Sequence, residues 1–400
     1  MFATSTFPQS MLAKSALVLP VLFAAFAADT VPPASDLTVH EWGTFTSVAS
    51  EAGWPVSWTP LKPPSDLPCF VYRLSAICVK CNSTAPVRME TPVLYFYSRR
   101  ATTVSVHVGL PSGMITEWYP KATGLPILST SETGGKIDWN TVEVLPGVTP
   151  AYPVDDSPSH YYAARNTDSA SLRVDDQEEK LLFYRGVAGE GVVLEPKQLA
   201  GGKLELDNIG TQPIPFAAVF ENRAGRIGYR LVRGLSAPVT VDFPELTGDA
   251  AALRRDLASA LTAAGLYPKE AAAMIDTWGD SWFEEGMRVF YILPRALVNA
   301  VLPLQVTPAP ATTERVFVGR VEVLSPAIRD SLRAALAAGD TATMAQYGRF
   351  LGTFVELMKV KERVEISPAA RAFMDAARAR IAQTQASPCK EPVIPTGQQR

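Results

Sequence analysis

The sequence predicts a mainly β first part, antiparallel and sandwich-like, followed by an α+β part that is rich in helices. Three observations lead to this fold class. Before residue 246, short runs rich in Val, Tyr, Phe and Thr alternate with Pro and Gly turns, which is typical of strands. After residue 246, Ala- and Leu-rich segments have helical periodicity. Two later runs, "RVFYILP" and "ERVFVGRVEVL", contain β-branched and aromatic residues, so the second part is not purely helical.

Residues 1–27 have the pattern of a cleaved signal peptide. Lys14 is their only charge, and the apolar run "SALVLPVLFAAFA" follows it. Ala25-Phe26-Ala27 supplies the small residues that signal peptidase recognises. The run is shorter than the roughly 20 apolar residues of a membrane-spanning helix. We therefore expect export to the periplasm or the extracellular space, with no membrane span after cleavage.

The composition is that of a globular chain of about two domains. Hydrophobic residues make up 47% and charged residues 19% of the 400 residues, which is enough apolar surface for sizeable cores. The predicted units are a β-sandwich-like domain over residues 28–245, an α+β domain over 246–388 and a polar tail over 389–400. The formal net charge is −3 and there is no basic cluster, so nucleic acid is excluded as a partner.

Alternating apolar and polar residues predict the strands of the first part. The clearest are "TPVLYFYS" (91–98), "TTVSVHVGL" (102–110), "NTVEVLP" (140–146) and "KLLFYRGV" (180–187). The runs "PFAAVFE" and "RIGYRLV" flank "NRAG", which indicates a β-hairpin.

Start and stop residues predict the helices of the second part. "DAAALRRDLASALTAAG" ends at Gly265, and Pro268 begins the helix "PKEAAAMIDTW". Ser325 caps a helix that ends near Gly339, and Ser367 precedes the last of two further helices.

The four cysteines are Cys69, Cys78, Cys81 and Cys389. In an exported chain an even number favours disulfides, and three pairings are possible. "CVKC" has neither the second C-x-x-C of a zinc ribbon nor a following βαβ pattern, so a structural disulfide is favoured over a redox or metal pair. We expect Cys389 or Cys69 to be linked to the segment of Cys78 and Cys81.

Several motifs together resemble a family of exported bacterial proteins for which no reaction is known. They are "VHEWGTFTS", "RMETPVLYFYS", "TEWYP", "HYYAARNTD", "LLFYRGV" and "SWFEEGMRVFYILPR". The resemblance covers nearly the whole mature chain. It implies one architecture that contains both parts, and it brings no activity, so function has to be inferred from the residues.

"HEWGTF" begins like the zincin signature H-E-x-x-H, but Thr44 occupies the place of the second histidine. The stretch also has the pattern of a strand, which places His40 and Glu41 on opposite faces. "DSWFEEGMR" resembles the gluzincin segment with the third metal ligand, here Glu284 or Glu285, yet the two-histidine helix is missing. We therefore expect no metal and no cofactor, and a metallopeptidase is disfavoured.

Carboxylates beside aromatic residues are the strongest chemical signal. Glu41, Glu90, Glu117 and Glu285 have this setting, in which burial raises a pKa unless cations or donors compensate. The cations available as partners are Arg88, Arg165, Arg288 and Arg295. Buried Glu–Arg pairs that hold the fold together explain the pattern as well as an active site does.

His160 follows the loop "VDDSPS" and is a candidate proton shuttle or ligand-binding residue, although a packing role is favoured. The candidate catalytic residues are Glu41, Glu90, Glu117, His160 and Glu285. The candidate binding residues are His40, Trp42, Trp118, Tyr161 and Arg165.

The sequence thus predicts an envelope-associated or periplasmic protein that binds a carbohydrate, a peptide or another protein of the cell envelope. The alternative is a hydrolase that acts on carbohydrate or peptide with paired glutamates as acid and base. No oligomeric state is predicted.

Overall fold

The centre of the protein is a ten-stranded mixed sheet. The structure, a computed structural model, describes residues 36–60, 67–73, 85–124, 134–155 and 159–386. The strands in this part of the chain are β1 (Thr38–Ala49), β2 (Pro55–Val56), β3 (Tyr72–Arg73), β4 (Val87–Tyr97), β5 (Thr102–Leu110), β6 (Gly113–Tyr119), β7 (Gly135–Leu145), β8 (Ser171–Val174), β9 (Gln177–Glu179), β10 (Leu182–Ala188), β11 (Leu194–Leu199), β12 (Lys203–Asn208), β13 (Ile214–Arg223), β14 (Arg226–Leu235), β15 (Val239–Asp242), β16 (Gly286–Ile292), β17 (Leu304–Thr307) and β18 (Thr312–Val323).

The helices follow mainly in the second part of the chain. They are α1 (Ala250–Ala263), α2 (Pro268–Thr277), α3 (Gly279–Trp282), α4 (Arg295–Val301), α5 (Pro326–Ala338), α6 (Thr341–Gln346), α7 (Leu351–Lys361) and α8 (Pro368–Ala386), with 3-10 helices at His160–Arg165 and Gly348–Phe350.

The large sheet takes strands from both sides of residue 246. Its order is β14-β13-β16-β18-β1-β4-β10-β6-β3, with β2 paired to β1. β1 pairs in parallel with β18 and antiparallel with β4, so a strand from the beginning of the described chain and one from late in it form the centre. Two smaller antiparallel sheets have the orders β17-β5-β7-β8-β9 and β11-β12-β15.

Alternation along β1 separates its side chains onto the two faces of the sheet. Val39, Glu41 and Phe45 are on one face, while His40 and Trp42 are on the other with Thr44 and Thr46. Nearly all these side chains are buried, because layers cover both faces.

Each face of the large sheet has its own apolar core. The first core combines side chains of the large sheet, the five-stranded sheet and α5–α8; examples are Val39, Phe96, Val106, Trp139 and Phe354. The second core combines the opposite face with α1 and α2; examples are Trp42, Tyr95, Leu257, Met274 and Phe290.

Several helix boundaries have the start and stop residues that the sequence predicted. Ser325 caps α5 as expected, and Asp249, which was not among the predicted caps, accepts hydrogen bonds from the first turn of α1. α2 begins at Pro268, and α5 ends at Gly339 with positive φ. The predicted hairpin over "NRAG" is confirmed by the pairing of β13 with β14.

The coarse fold prediction is confirmed: the protein is mainly β, with a strand-rich first part and helices in the second. None of the helices in the described ranges is long and apolar enough to span a membrane. The expected signal peptide, Cys78, Cys81 and Cys389 lie outside the described residues, so export and the disulfide stay predictions.

Candidate ligand-binding site

His40 fixes the start of α2 to the sheet. Its Nδ1 lies 2.8 Å from Oε2 of Glu270, and its ring packs against the tilted ring of Tyr267 at a centroid distance of 4.4 Å. Glu270 also accepts hydrogen bonds from the backbone N–H of Tyr267 and the hydroxyl of Tyr97, both at 2.8 Å. Because His40 is only 2% exposed, these contacts give it a structural role.

Glu41 belongs to a different network on the opposite face, as the strand pattern predicted. Its carboxylate accepts hydrogen bonds from Nε of Arg315, at 2.5 Å, and from the hydroxyl of Tyr184. Nη1 of Arg315 also donates to Asn299 at 3.0 Å. Through these bonds Glu41 connects β1 with β18 and β10. Because Glu41 is fully buried, it has no access to a ligand. Its partner Arg315 is not among the arginines that the sequence suggested.

The "SWFEEG" segment is a turn held by an internal arginine. Arg288 is fully buried and donates to the carbonyls of Trp282, Glu284 and Glu285 at 2.7 to 2.9 Å. Gly286 has φ 127° and approaches Arg288 so closely that a Cβ there would lie 2.7 Å from Nη2. The motif therefore has a structural explanation.

Glu285 lies against the turn between β13 and β14. Its carboxylate accepts hydrogen bonds from the backbone N–H of Ala224 at 2.8 and 3.1 Å. Burial raises the pKa of Glu285, and this effect exceeds the lowering by that N–H and nearby arginines. The side chain joins the "SWFEEG" turn to the hairpin.

Tyr161 and Arg165 form a closed cluster with Glu179. Arg165 donates to both carboxylate oxygens of Glu179, at 2.9 and 2.6 Å, and the hydroxyl of Tyr161 donates to the same carboxylate at 2.9 Å. Trp42 and Trp118 are also buried, at 0% and 3% exposure. These four predicted binding residues therefore lie within the packed structure.

The large sheet is irregular at one level, where three strand pairings shift together. The β1–β4 register shifts between Trp42 and Thr44. The β4–β10 and β6–β10 registers shift beside Gly186. Thr91 has φ 52° at the same level, which is an uncommon conformation for a β-branched residue. Bulges and strained residues of this kind concentrate next to functional sites.

The face of the sheet at this level is lined by polar and charged side chains. One row contains Thr44 and Glu90, which pair across β1 and β4, and Arg185 and Glu117, which pair across β10 and β6; the register shift between β4 and β10 lies between the two pairs. The adjacent row contains Arg320, Thr46 and Arg88, which are paired across β18, β1 and β4. We call these two rows the polar floor.

Glu90 is a fully engaged carboxylate of the polar floor. It accepts hydrogen bonds from both terminal nitrogens of Arg349, one of them at 3.0 Å, and from the Thr46 hydroxyl at 2.5 Å. Burial alone would raise the pKa of Glu90, but Arg349 and Thr46 lower it below its usual value. Glu90 is therefore ionised at neutral pH.

Arg88 is the least satisfied cation of the polar floor. Its guanidinium lies over the ring of Trp58 at 5.5 Å. Burial lowers its pKa, and the charges of Glu90 and Glu117 offset part of this effect. Arg88 forms no hydrogen bond or ion pair with the part of the chain that the structure describes. It is half-buried, so its N–H groups remain available to a ligand.

Arg185 and Glu117 complete the floor on the side of β6. Arg185 approaches the Thr91 hydroxyl at 3.4 Å and lies over Trp278 at 6.0 Å. Glu117 is half-buried, and its carboxylate accepts a hydrogen bond from the Thr116 hydroxyl.

The rim of the site is formed by the residues around α3. His160 contacts Trp278 at a ring distance of 5.9 Å, and its Nε2 lies 2.7 Å from Asp280. Ser281 accepts a hydrogen bond from Arg320 at 2.8 Å, which ties α3 to the floor. His160 is thus near the site, with a carboxylate partner that the sequence did not indicate.

Arg320 joins the polar floor to a wall of buried ion pairs. It donates to Glu322 at 2.6 Å and to Glu284 at 2.7 Å, and Glu322 also pairs with Arg288 at 3.0 Å. The adjacent charges of these glutamates outweigh the effect of burial and raise the pKa of Arg320 above its usual value. The wall therefore holds the floor rigidly in place.

The structure brings two predicted catalytic residues, Glu90 and Glu117, onto one face and places His160 at its rim. It adds Arg185 and Arg349, which sequence reasoning missed. The sequence does contain a local signal for the floor. Thr44 and Thr46 are two residues apart, as are Arg88 and Glu90, so each pair lies on one face of its strand. No local signal in the sequence indicated Arg349, since it is 259 residues from Glu90.

No group of three or more His, Cys, Asp or Glu side chains with the arrangement of a metal site is found among the described residues. No protein-family model matches the chain, and no curated protein matches it significantly.

Proposed function

We propose that the protein is an exported binding protein whose ligand has an anionic group that binds to Arg88 on the polar floor. The observation that carries this proposal is the half-buried guanidinium of Arg88, which has no hydrogen-bond acceptor or ion-pair partner among the described residues. A carboxylate or phosphate would bind it with two parallel charge-assisted hydrogen bonds. The rigid ion pairs around it would keep the site in place before the ligand binds.

A titration with small anions tests the proposal. Acetate and inorganic phosphate are titrated separately into the protein at low salt, and heat or chemical shift changes report binding. We expect Arg88→Gln to weaken binding by about tenfold or more, since a charged hydrogen bond is lost. Arg99→Gln is the matched control, because Arg99 is exposed and lies outside the floor.

Equal affinity in the two variants, or no anion binding by the wild-type protein, would overturn the proposal. Arg88→Lys provides a second variant if Arg88→Gln does not fold. It retains the charge and removes the planar pair of donors, so we expect weaker binding with a preserved dependence on salt.

A hydrolase with paired glutamates is the second candidate. The positions of Glu90 and Glu117 favour this candidate. Both side chains are on the same face of the large sheet, and one strand, β10, separates β4 from β6. Two strand spacings correspond to about 10 Å between Cα atoms. The lowered pKa of Glu90 is unfavourable, because an acid catalyst has to be protonated at neutral pH. Glu117→Gln would abolish turnover of a chromogenic glycoside if this candidate were right.

Export is part of the proposal and is supported by the signal-like residues 1–27. N-terminal sequencing of protein from the producing cell should begin near Ala28, and a mature form that retains Met1 would contradict export. The sandwich-like arrangement of the first part is likewise proposed. It is supported by the apolar core that the large sheet shares with the five-stranded sheet.

A further inference from the structure

β14 is an edge strand of the large sheet, and it is long for such a position. It pairs with β13 on one side and has no strand on its other side within the described ranges. It contains ten residues, whereas the other edge strands of the described sheets contain two to six. Proteins usually shorten or cover such edges, because unpaired backbone groups there bind other strands.

The hairpin with β13 determines which backbone groups of β14 point outward. Both residues of its two-residue turn have positive φ, so Arg223 and Arg226 form a hydrogen-bonded pair. Bonded and non-bonded pairs alternate along antiparallel strands, so every second residue from Ile227 turns its N–H and C=O away from β13. The carbonyl of Ile227 confirms this direction, since it accepts a hydrogen bond from the N–H of Gly248 at 2.8 Å.

The outward groups are covered near the hairpin turn and open beyond it. The carbonyl of Glu245 lies so close to Gly228 that a Cβ there would clash with it. Farther along, the outward N–H and C=O groups belong to Tyr229, Leu231 and Arg233. None of these groups forms a hydrogen bond with the part of the chain that the structure describes. We call residues 229–233 the open edge.

The open edge is basic on both faces. Arg230 and Arg233 are on opposite faces of β14, and neither has an ion-pair partner among the described residues. Nε of Arg230 is buried without a hydrogen-bond acceptor in the same ranges. Arg233 is exposed, and its guanidinium lies over the ring of Phe216 at 5.8 Å. The terminal nitrogens of both guanidiniums therefore remain available as donors to a partner.

The acids around this hairpin do not neutralise the open edge, because they have other partners or positions. They are Glu221 with Arg223, Asp249 at the start of α1, Asp256 with the Tyr229 hydroxyl and Glu285 with the backbone N–H of Ala224. Glu245 is on the covering segment beside Gly228. A partner would therefore have to supply the carboxylates for Arg230 and Arg233.

We propose that the open edge binds an acidic, extended segment of a partner protein, which adds to the large sheet as a further strand. Backbone hydrogen bonds to Tyr229, Leu231 and Arg233 would provide affinity, and carboxylates beside Arg230 and Arg233 would provide selectivity. A second copy of this chain fits less well, because it would bring the same arginines to the junction. The arginines thus oppose self-association and attract an acidic strand.

Three peptides test the inference with the full-length mature protein at low salt. The first is acetyl-TEVEVEVT-amide, and the second has lysine in place of each glutamate. The third is the acidic peptide with every central residue N-methylated, which keeps the carboxylates and removes the backbone donors. We expect the first peptide to bind about tenfold more tightly than either of the others, because each control lacks one of the two contributions.

Amide hydrogen exchange measured by NMR locates the bound peptide. At a peptide concentration of ten times Kd, exchange of Tyr229, Leu231 and Arg233 should be about tenfold slower, because their N–H groups point outward. Arg230 and Val232 should change little, since their N–H groups already face β13.

A pair of double variants tests the role of charge. Arg230→Gln with Arg233→Gln should weaken binding of the acidic peptide by about fivefold, the range for exposed ion pairs. Arg99→Gln with Arg371→Gln is the control, because both residues are exposed on other elements and the change in net charge is the same. The peptide comparison with wild-type protein requires no variant, so the test remains decisive if the first double variant does not fold.

Arg88→Gln separates this inference from the proposed function. β4 and β14 are five strand spacings apart, about 24 Å, so this variant should bind the acidic peptide like the wild-type protein. An equal loss in Arg88→Gln and in the Arg230 and Arg233 variant would place the glutamates on the polar floor and overturn the inference.

Other results would overturn it as well. If the acidic peptide does not bind, the arginines only guard the edge against pairing. Equal binding of the lysine or N-methylated peptide would exclude charge-selective strand addition, as would unchanged exchange at Tyr229, Leu231 and Arg233. A dimer of the protein alone that protects these three amides would assign the open edge to a second copy.

Discussion

Replacement of Glu41 by glutamine should destabilise the protein by about 3–5 kcal/mol, the range for breaking a buried ion pair. Arg315 is 5% exposed, so its charge would remain buried after the substitution. The neutral acceptor Asn299 would be its remaining hydrogen-bond partner among the described residues. Glutamine can still accept a hydrogen bond from the Tyr184 hydroxyl, so the loss of stability comes mainly from the uncompensated guanidinium of Arg315.

Urea unfolding followed by tryptophan fluorescence measures this effect. Domains are typically stable by about 5–15 kcal/mol, so we expect Glu41→Gln to fold with a lower urea midpoint and an unchanged slope. Binding at Arg88 should remain within about twofold of the wild-type affinity, because Glu41 is on the opposite face of the sheet. The prediction thus separates stability from ligand binding.

A double substitution provides the control for this reasoning. Glu41→Leu with Arg315→Met removes both charges. The Tyr184 hydroxyl then loses its acceptor, at about 1–3 kcal/mol, while the exposed Asn299, which loses the Arg315 donor, can bond to water instead. The double variant should therefore be more stable than Glu41→Gln alone. A single variant within about 1 kcal/mol of the wild-type protein, or strictly additive single effects, would refute the assignment of a buried ion pair.

Three further predictions concern the residues around β1. The pKa of Glu90 is lower in the folded protein than its ordinary value of 4.5, so the ionised carboxylate stabilises the fold. This stabilisation is complete above about pH 4.5 and is lost as the pH falls through the folded-state pKa. The difference in urea midpoint between wild type and Glu90→Gln should therefore be largest at neutral pH and shrink in acid; a constant difference would contradict it. Gly43→Ala should destabilise the protein by about 1–3 kcal/mol, because a Cβ would lie 2.6 Å from the Phe317 ring, and Phe317→Leu in the same chain should restore part of the loss in urea unfolding. His40→Ala should lower stability by about 1–3 kcal/mol through loss of the Glu270 contact. Elemental analysis should find no stoichiometric transition metal before or after the change, and one metal per chain that His40→Ala releases would revive the metal site.

Local patterns predicted the elements and the direction of side chains, since both depend on neighbouring residues. The alternation of "HEWGTF" placed His40 and Glu41 on opposite faces, and the structure confirms it. Capping residues likewise located the ends of α1, α2 and α5.

Partners across the sheet were beyond sequence reasoning, because their separation along the chain carries no periodic signal. Glu41 pairs with Arg315 at a separation of 274 residues, and His40 contacts Glu270 at a separation of 230. The register shift near Thr44 depends on three neighbouring strands and has no signature within β1 alone. The candidate site is built from these long-range relations, which explains why the sequence suggested its glutamates, Arg88 and His160 but not Arg185 or Arg349.

The parallel pairing of β1 with β18 has a consequence for synthesis. A chain is made from its N-terminus, so β1 exists long before the residues from Thr312 to Val323 that become its central neighbour. Until then, one edge of β1 has unpaired backbone groups that can associate with other chains. Contacts of this range are slow to form, so a newly made chain lacks the central pairing of its sheet until late in folding. Cleavage or arrested synthesis before Thr312 therefore yields a fragment without the middle of its sheet.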